Sequence, residues 1–267
     1  MASRKAQKDA ARERRLAEER ARAEKARRAR RLQMLGGVVA LAVVLVVVAI
    51  VVSSGGSSSS APATKPASPQ ARQAAATVGG VLTGIPQQGN TLGSPTAKVT
   101  MTEYGDLVCP VCRSFALGPE QQLIANEVRQ GKVKIVYKAL ETASQTANDQ
   151  MFVPGQTAAL AAGQQKLGWN YILLFYHEQG DETQSYVTDD FLDGLARQIP
   201  GLDYSRWSAD RNSSSLVTQV RSDLQAAENA SFDQTPTIVL SGPKSQAQPI
   251  VGLTSYAVLQ SKIRSVS

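Results

Sequence analysis

The amino-acid sequence predicts an α/β domain that follows a single transmembrane helix. Three observations support this class. Residues 34–52 are apolar and uncharged, residues 98–104 are rich in β-branched and aromatic side chains, and apolar residues alternate with lysines from 133 to 138. The last two patterns predict strands. The helix-prone stretch between them gives the strand–helix–strand order of a βαβ unit with a parallel strand pair.

The amino-terminal segment carries the whole excess of positive charge. Residues 1–31 have a net charge of +8, and the rest of the chain has −1. The overall charge therefore indicates no basic domain surface. We interpret residues 1–33 as a basic cytoplasmic tail that contacts anionic lipid, rather than as a segment that binds nucleic acid.

Residues 34–52 are nineteen uncharged residues, which is close to the number that spans a bilayer. Arginines precede this run, so the positive-inside rule places the tail in the cytoplasm and the following domain outside the cell membrane. The alternative is a cleaved signal peptide, because Ala61-Pro62-Ala63 resembles a cleavage site. That site lies well past the apolar run, and the run is longer than a typical signal-peptide core. We therefore expect a single-pass anchor.

Two segments of different composition follow the apolar run. Residues 53–76 are rich in Ser, Gly, Ala and Pro and predict a flexible tether. Residues 77–267 suffice for one extracytoplasmic domain, whose first part, to residue 97, is rich in turn residues with a short strand at Val81-Leu82.

Both cysteines of the chain lie in Cys109-Pro110-Val111-Cys112. Two thiols at this spacing can close into a disulfide or open into a dithiol, as thiol–disulfide exchange requires. The motif follows a predicted strand, and Pro110 is favoured in the first turn of a helix. Cys109 would then lie at a helix N-terminus, where unpaired N–H groups and the helix dipole stabilise a thiolate.

The remaining elements complete the domain. We expect a helix to about Gln130, bent at Gly118-Pro119 and ended by Gly131. Stretches with helical spacing then predict a helical subdomain inserted at about 150–229. The predicted helices are 157–167, 169–178, 189–198 and 216–229. A strand at 237–240, a short strand near 249–251 and a terminal helix at 255–263 follow.

With these elements in place, the sequence resembles the DsbA-like thiol:disulfide oxidoreductases of the thioredoxin superfamily, in particular the membrane-anchored type of Gram-positive bacteria. The resemblance covers about residues 84–264 and implies a thioredoxin-like fold with an inserted helical subdomain. A CxxC pair alone is also compatible with half of a zinc site or with a structural disulfide. Its combination with a helical insert and a later Thr-Pro is specific for this family. The matching stretches are Gly84-Ile85-Pro86, Leu92-Gly93, Glu103-Tyr104-Gly105-Asp106, the cysteine motif, Gly131-Lys132-Val133, Ala158 to Gln164 before Trp169, and Thr235-Pro236-Thr237.

The resemblance implies catalytic roles at the cysteines and the proline. Cys109 would be the exposed nucleophile and Cys112 the buried resolving thiol, and the two would form a disulfide. Pro236 would be a cis proline packed against that disulfide. The Thr235 backbone would pair with an extended client peptide. Val111 and its neighbour Pro110 would also belong to the client-binding surface.

The residues at positions 103 and 111 are compared with those that the family has there. Glu103 would be a buried proton acceptor for Cys112, with a solvated strand carboxylate as the alternative. Lys134 on the adjacent strand is either the partner of Glu103 or a solvated lysine. Strongly oxidising members often have His where this chain has Val111, so we expect the pKa of Cys109 to be less depressed than theirs and the disulfide to have an intermediate potential.

The sequence predicts no cofactor and no metal. Two cysteines and one histidine do not complete a four-ligand zinc site, and we interpret His177 as a packed or surface helix histidine. The expected function is donation of a disulfide to secreted or membrane client proteins, with reoxidation by a DsbB- or VKOR-type membrane protein, as the resemblance implies. A reductase or isomerase, and a tethered binding module with a structural disulfide, are the alternatives.

Overall fold

The computed structural model describes residues 68–147 and 150–267. The predicted basic tail (1–33), the predicted transmembrane helix (34–52) and most of the predicted tether (53–76) lie outside the described residues. Across the part of the chain that is described, no helix combines the length and the apolar character needed to cross a bilayer.

A six-stranded sheet with the order β1-β2-β4-β3-β5-β6 forms the centre of the domain. Its strands are β1 (Gln87–Gln88), β2 (Thr91–Leu92), β3 (Val99–Gly105), β4 (Val133–Ala139), β5 (Thr237–Ser241) and β6 (Ile250–Val251). The predicted parallel pair of β3 and β4 and the predicted β5–β6 hairpin are confirmed, and the other neighbouring strands pair antiparallel. The β1–β2 hairpin was not predicted, because two-residue strands are too short to show a period.

The register of the parallel pair decides which side chains can meet. Glu103 of β3 lies opposite Tyr137 of β4, whereas Lys134 lies opposite Thr100. Successive residues of a strand point to opposite faces, so Lys134 lies on the face away from Glu103. Of the two interpretations of Lys134, the pairing with Glu103 is therefore excluded.

The domain begins earlier than the sequence predicts. Helix α1 (Pro69–Leu82) occupies the end of the expected tether, and its last two residues are those expected to form a short strand. The Ser68 hydroxyl caps the helix by accepting the Ala71 N–H at 3.0 Å. Ala71, Val78 and the last residue of the helix are buried. These three buried positions lie in a segment rich in Ala and Gly and show no clear helical period, so the composition alone indicated a tether.

The bent helix after the cysteine motif is confirmed. It consists of α2 (Pro110–Ala116), α3 (Pro119–Leu123) and a π-helical turn (Ile124–Val128). The break falls at Gly118, before a proline that lacks the N–H needed to continue the helical hydrogen bonds. Gly131 has a φ of 71°, a left-handed conformation that favours glycine, and turns the chain into β4.

Five helices lie between β4 and β5, after a 3₁₀ turn at Ala143–Ala147. They are α4 (Phe152–Gly163), α5 (Gly168–Glu178), α6 (Asp189–Gln198), α7 (Tyr204–Asp210) and α8 (Ser214–Asn229). Four of these were predicted. The seven-residue α7 is too short to show a periodic stripe, but it holds Trp207 completely buried.

The carboxyl-terminal helix α9 (Tyr256–Val266) begins after its cap Ser255, as predicted. The apolar faces of the helices and the sheet share one main core. The large aromatic side chains of α5 lie inside this core, with no exposed surface. These residues are Trp169, Tyr171, Phe175 and Tyr176.

Candidate active site

Cys109 lies where the connection from β3 enters α2, and it is the N-cap residue of that helix. Its sulfur accepts a hydrogen bond from the backbone N–H of Cys112 at 3.5 Å. Its own N–H donates to the carbonyl of Asp106 at 3.0 Å. The sulfur therefore lies at the helix N-terminus, as the position of Pro110 in the sequence predicts.

Cys109 is less accessible than the sequence suggested. Cys109 is 6% exposed, and Cys112 is completely buried. The side chain of Gln179, just after α5, donates hydrogen bonds to the carbonyls of Leu107 and Cys109 at 2.7 and 3.1 Å and covers this connection. The expectation of an exposed nucleophile is therefore wrong, because the structure holds Cys109 as a buried thiol. Val111 beside it is 41% exposed.

The two cysteines differ sharply in acidity. The hydrogen bond from the Cys112 side chain is the largest cause that lowers the pKa of Cys109, from its ordinary value of 9.0 to about 6. Burial opposes this shift, while the Thr235 side chain and backbone N–H groups of the helix terminus support it. Burial raises the pKa of Cys112 well above its ordinary value, and nearby negative charge raises it further. At neutral pH the pair is a thiolate at Cys109 and a thiol at Cys112.

The structure holds both cysteines as free thiols, so it describes the reduced form. The Cys109–Cys112 disulfide of the oxidised form stays a prediction. The low pKa of Cys109 shows that a histidine at position 111 is not needed for a stabilised thiolate, since the Cys112 hydrogen bond and the helix terminus lower the pKa without it.

The Thr235–Pro236 peptide bond is cis, which confirms the expectation from the resemblance. The Thr235 carbonyl oxygen lies 3.8 Å from the sulfur of Cys109, and the Pro236 carbonyl accepts the Gly252 N–H at 2.8 Å. The fold therefore brings Thr235 and Pro236, more than 120 residues away in sequence, to the cysteine motif.

Two residues that sequence reasoning missed, Thr142 and Asp106, contact the segments around the cysteine motif. The hydroxyl oxygens of Thr142 and Thr235 lie 2.5 Å apart. The buried Asp106 carboxylate accepts the N–H groups of Val108, Thr142 and Ser144 at 3.0 Å each, and the Ser144 hydroxyl at 2.7 Å. Asp106 lies in a stretch that resembles the family, but no sequence pattern marks Thr142.

Glu103 is 1% exposed, so the alternative of a solvated strand carboxylate is wrong. Burial raises its pKa from 4.5 to about 7, and a hydrogen bond with Glu120 acts in the opposite direction. The charge of Glu103 raises the pKa of Cys112. A carboxyl group with this pKa can hold or release a proton beside Cys112 near neutral pH. Glu120 is a second buried carboxyl that sequence reasoning missed.

His177 lies in α5 and is half-buried. Burial lowers its pKa, and the Arg113 guanidinium lowers it further, so the neutral imidazole is favoured there, in keeping with a packed helix residue. Within the described ranges, no group of three or more His, Cys, Asp and Glu side chains is arranged to hold a metal ion.

The sequence of the chain is similar to a known protein family and to individual known proteins. A family model described as thioredoxin matches residues 87–255. The probable disulfide bond formation protein D of Bacillus anthracis is 22% identical over 153 residues, which are 57% of this chain and 69% of that protein. The disulfide bond formation protein D of Bacillus subtilis is 23% identical over 153 residues, which are 55% and 65% of the two chains.

Two solved structures show the same fold. BdbD from Bacillus subtilis, in its oxidised form, superposes with a TM-score of 0.58 at 19% identity, covering 68% of this chain and 96% of its own. DsbA2 from Pseudomonas aeruginosa gives a TM-score of 0.54 at 19% identity, with coverage of 69% and 97%.

Proposed function

The chain belongs to the thioredoxin family, and on that premise we propose that it is a thiol–disulfide oxidoreductase that donates a Cys109–Cys112 disulfide to thiol-bearing client proteins. The observation that carries the proposal is the unequal cysteine pair. The sulfur of Cys109 lies at the N-cap of α2 and accepts the Cys112 N–H at 3.5 Å, and its pKa is lowered to about 6, whereas Cys112 is completely buried three residues later and its pKa is raised. A purely structural disulfide needs no such difference.

The reaction has two exchange steps. A client thiolate attacks the sulfur of Cys109 in the disulfide, so a client–Cys109 bond forms, the Cys109–Cys112 bond breaks, and Cys112 leaves as a thiolate. Protonated Glu103 gives its proton to Cys112. A second client thiolate then attacks the client sulfur, and Cys109 leaves as a thiolate. Two electrons pass from the client to the cysteine pair.

The low pKa of Cys109 favours the second step, because a sulfur with a lower pKa is a better leaving group. The same stabilised thiolate favours the reduced form of the pair, which makes the disulfide more oxidising. The names of the Bacillus relatives, disulfide bond formation proteins, support this direction of electron flow.

A client segment would bind beside Cys109. The Thr235 backbone next to cis Pro236 would pair with an extended peptide, and the exposed residues Pro110 and Val111 beside Cys109 would also contact it.

In the cell, residues 1–33 would be a basic cytoplasmic tail, 34–52 a transmembrane anchor, and the segment from 53 to Ser68 a tether that holds the domain outside the cytoplasm. A membrane protein of the DsbB or VKOR type would take the two electrons from the reduced pair. Added protease should digest the domain in spheroplasts or protoplasts but leave the tail protected. A soluble, released domain would contradict the anchor.

Trapping of mixed disulfides tests the central proposal. With Cys112→Ala, Cys109 has no resolving partner, so covalent client adducts should accumulate in cells expressing the full chain and disappear on reduction. The matched control is Cys112→Ala combined with Cys109→Ala. Absence of adducts would favour a structural disulfide, and a mainly dithiol pair in the unaltered chain in cells would favour the reductase or isomerase.

A further inference from the structure

Gln179 directly follows α5, and its side chain reaches the connection between β3 and α2. Its Nε2 atom donates to the carbonyl of Leu107 at 2.7 Å and to that of Cys109 at 3.1 Å. A side-chain amide has two N–H donors, so both of them go to this connection. The exchange steps of the proposed reaction do not use Gln179, and its contacts therefore call for a separate role.

The N–H groups and the carbonyls of this connection are held by different residues. Asp106 accepts the N–H of Val108 through its carboxylate and the N–H of Cys109 through its main-chain carbonyl, both at 3.0 Å. Gln179 instead holds the carbonyls of Leu107 and Cys109, on either side of Val108. Because each peptide group is planar, holding its carbonyl fixes the orientation of the whole group. The direction in which the chain enters α2 therefore depends on Gln179.

Contacts on both sides of Gln179 determine its position. Before it, the carbonyl of Tyr176 in α5 accepts a hydrogen bond from the Arg113 guanidinium of α2 at 2.8 Å. After it, Gly180 lies against the ring of Tyr186, and a Cβ atom at position 180 would come within 2.7 Å of that ring. The end of α5 is thus tied to α2 by the main chain and packed on its far side, so the amide of Gln179 is presented from a fixed support.

We propose that Gln179 is a positioning residue whose amide holds the first turn of α2 in the orientation that directs the Cys112 N–H at the sulfur of Cys109. That N–H lies 3.5 Å from the sulfur. A hydrogen bond weakens as its angle departs from linearity, so a rotation of the turn would weaken this contact and destabilise a thiolate at Cys109. The inference rests on the proposed function, in which Cys109 reacts as a thiolate.

A substitution of Gln179 by another neutral residue changes no charge at the site. The titratable and charged groups on the segments that meet here are Glu103, Asp106, Cys112, Arg113, Glu141, Tyr176, His177, Glu178, Asp181, Tyr186 and Asp233. All of them stay in place when Gln179 is replaced by methionine. A change in the titration of Cys109 would therefore report the lost hydrogen bonds and not a lost charge.

Reduced full-length chain in detergent, mixed with an excess of a small aromatic disulfide, reports attack by Cys109 as the concentration-dependent release of aromatic thiolate. Gln179→Met keeps the side-chain length and removes the donor. The midpoint of the pH profile should rise from about 6 by roughly half a unit to one unit, the scale of one weakened hydrogen bond. A thiol with a higher pKa is less ionised at low pH but more nucleophilic as a thiolate. The rate should therefore fall about two- to threefold at pH 5 and rise about two- to threefold at pH 8.

Gln165→Met is the matched control. Gln165, just after α4, is also half-buried and also joins two segments, since it donates to the Asp203 carbonyl at 3.0 Å and accepts the Asp203 N–H at 2.8 Å. Its replacement should lower the stability in urea and leave the pH profile of Cys109 unchanged. An equal rise of the midpoint in Gln165→Met would overturn the inference, because the effect would then follow from loosened packing in general.

An unchanged or lowered midpoint in Gln179→Met, or a rate that changes in the same direction at pH 5 and pH 8, would also overturn it and leave Gln179 a support of the fold alone. If Gln179→Met does not fold, nitrogen-15 spectra of the unaltered reduced chain decide. The side-chain amide signal of Gln179 should shift with the midpoint of Cys109, and a constant signal would contradict the positioning role. Failure of the proposed function is distinguishable, because the unaltered chain would then release no aromatic thiolate in the first phase.

Discussion

The hydroxyl oxygens of Thr142 and Thr235 lie 2.5 Å apart, and the carbonyl of Thr235 lies 3.8 Å from the sulfur of Cys109. The Thr235 side chain also hydrogen-bonds the sulfur and lowers the pKa of Cys109. If Thr142 donates to Thr235, the Thr235 hydroxyl proton is free to point at the thiolate. Each hydroxyl then polarises the next, which strengthens the bond to sulfur.

Thr142→Val should raise the pKa of Cys109. Valine keeps the shape but removes the donor, so we expect a rise of roughly half a unit to one unit above the value of about 6, at the scale of one weakened hydrogen bond. The absorbance of the reduced chain at 240 nm between pH 4 and 8.5 measures the thiolate, and Cys112 stays protonated over most of this range.

Thr142→Ser is the matched control, since it keeps the hydroxyl and should titrate like the unaltered chain. Equal titration curves for the Val and Ser variants would show that the Thr142 hydroxyl does not act on the sulfur.

Val111→His should lower the pKa of Cys109 below 6 and make the disulfide more oxidising. Position 111 is 41% exposed, so an imidazole there can carry a proton and attract the thiolate. We expect the equilibrium with glutathione to shift about three- to tenfold toward the dithiol, which corresponds to roughly 15–30 mV. The shift should be present at pH 6 and vanish at pH 9, where imidazole is neutral. A shift that is the same at both pH values would show that charge is not its cause.

The sequence predicts those parts of the site that lie close together along the chain. The strand before Cys109, the helix after it and the role of Pro110 follow from local preferences of residue types. The alternation of Val133, Ile135 and Tyr137 predicts β4. The cis bond before Pro236 followed only from the family resemblance, because most X–Pro bonds are trans.

Long-range contacts could not be predicted in the same way. Thr142 meets Thr235 across 93 residues, and Glu120 in α3 is buried and shifts the pKa of Glu103 in β3. Neither residue belongs to a periodic pattern. The two interpretations of Lys134 stayed open for the same reason, since only the strand register decides its face.

Glu103→Gln should stabilise the reduced chain at high pH and not at low pH. The folded-state pKa of Glu103 is raised from 4.5 to about 7, so ionisation is disfavoured in the fold. The contribution of Glu103 to stability is therefore complete below pH 4.5 and is lost as the pH rises to 7. Glutamine removes this loss, by at most roughly 3 kcal/mol above pH 7. Urea unfolding at pH 4.5 and pH 8 measures it, and an equal difference at both pH values would contradict the raised pKa.

Asp106→Asn should be strongly destabilising, because the amide can accept fewer hydrogen bonds and turns an NH₂ group toward N–H donors. Asp106 is completely buried and accepts four hydrogen bonds, one from Val108 and three that connect the residue after β3 to Thr142 and Ser144. Hydrogen bonds to a charged group contribute about 1.5–3 kcal/mol each, so a loss of roughly 3–4 kcal/mol is expected in urea unfolding.

The same variant should also affect chemistry, because Thr142 is positioned by Asp106 and acts on Cys109 through Thr235. The thiolate titration of Asp106→Asn should therefore move in the same direction as that of Thr142→Val. Asp190→Asn, at an exposed position in α6, is the matched control and should change stability by less than about 0.5 kcal/mol. A destabilised Asp106→Asn whose Cys109 titrates normally would show that Asp106 supports the fold alone, and that the path from Asp106 to the sulfur does not exist.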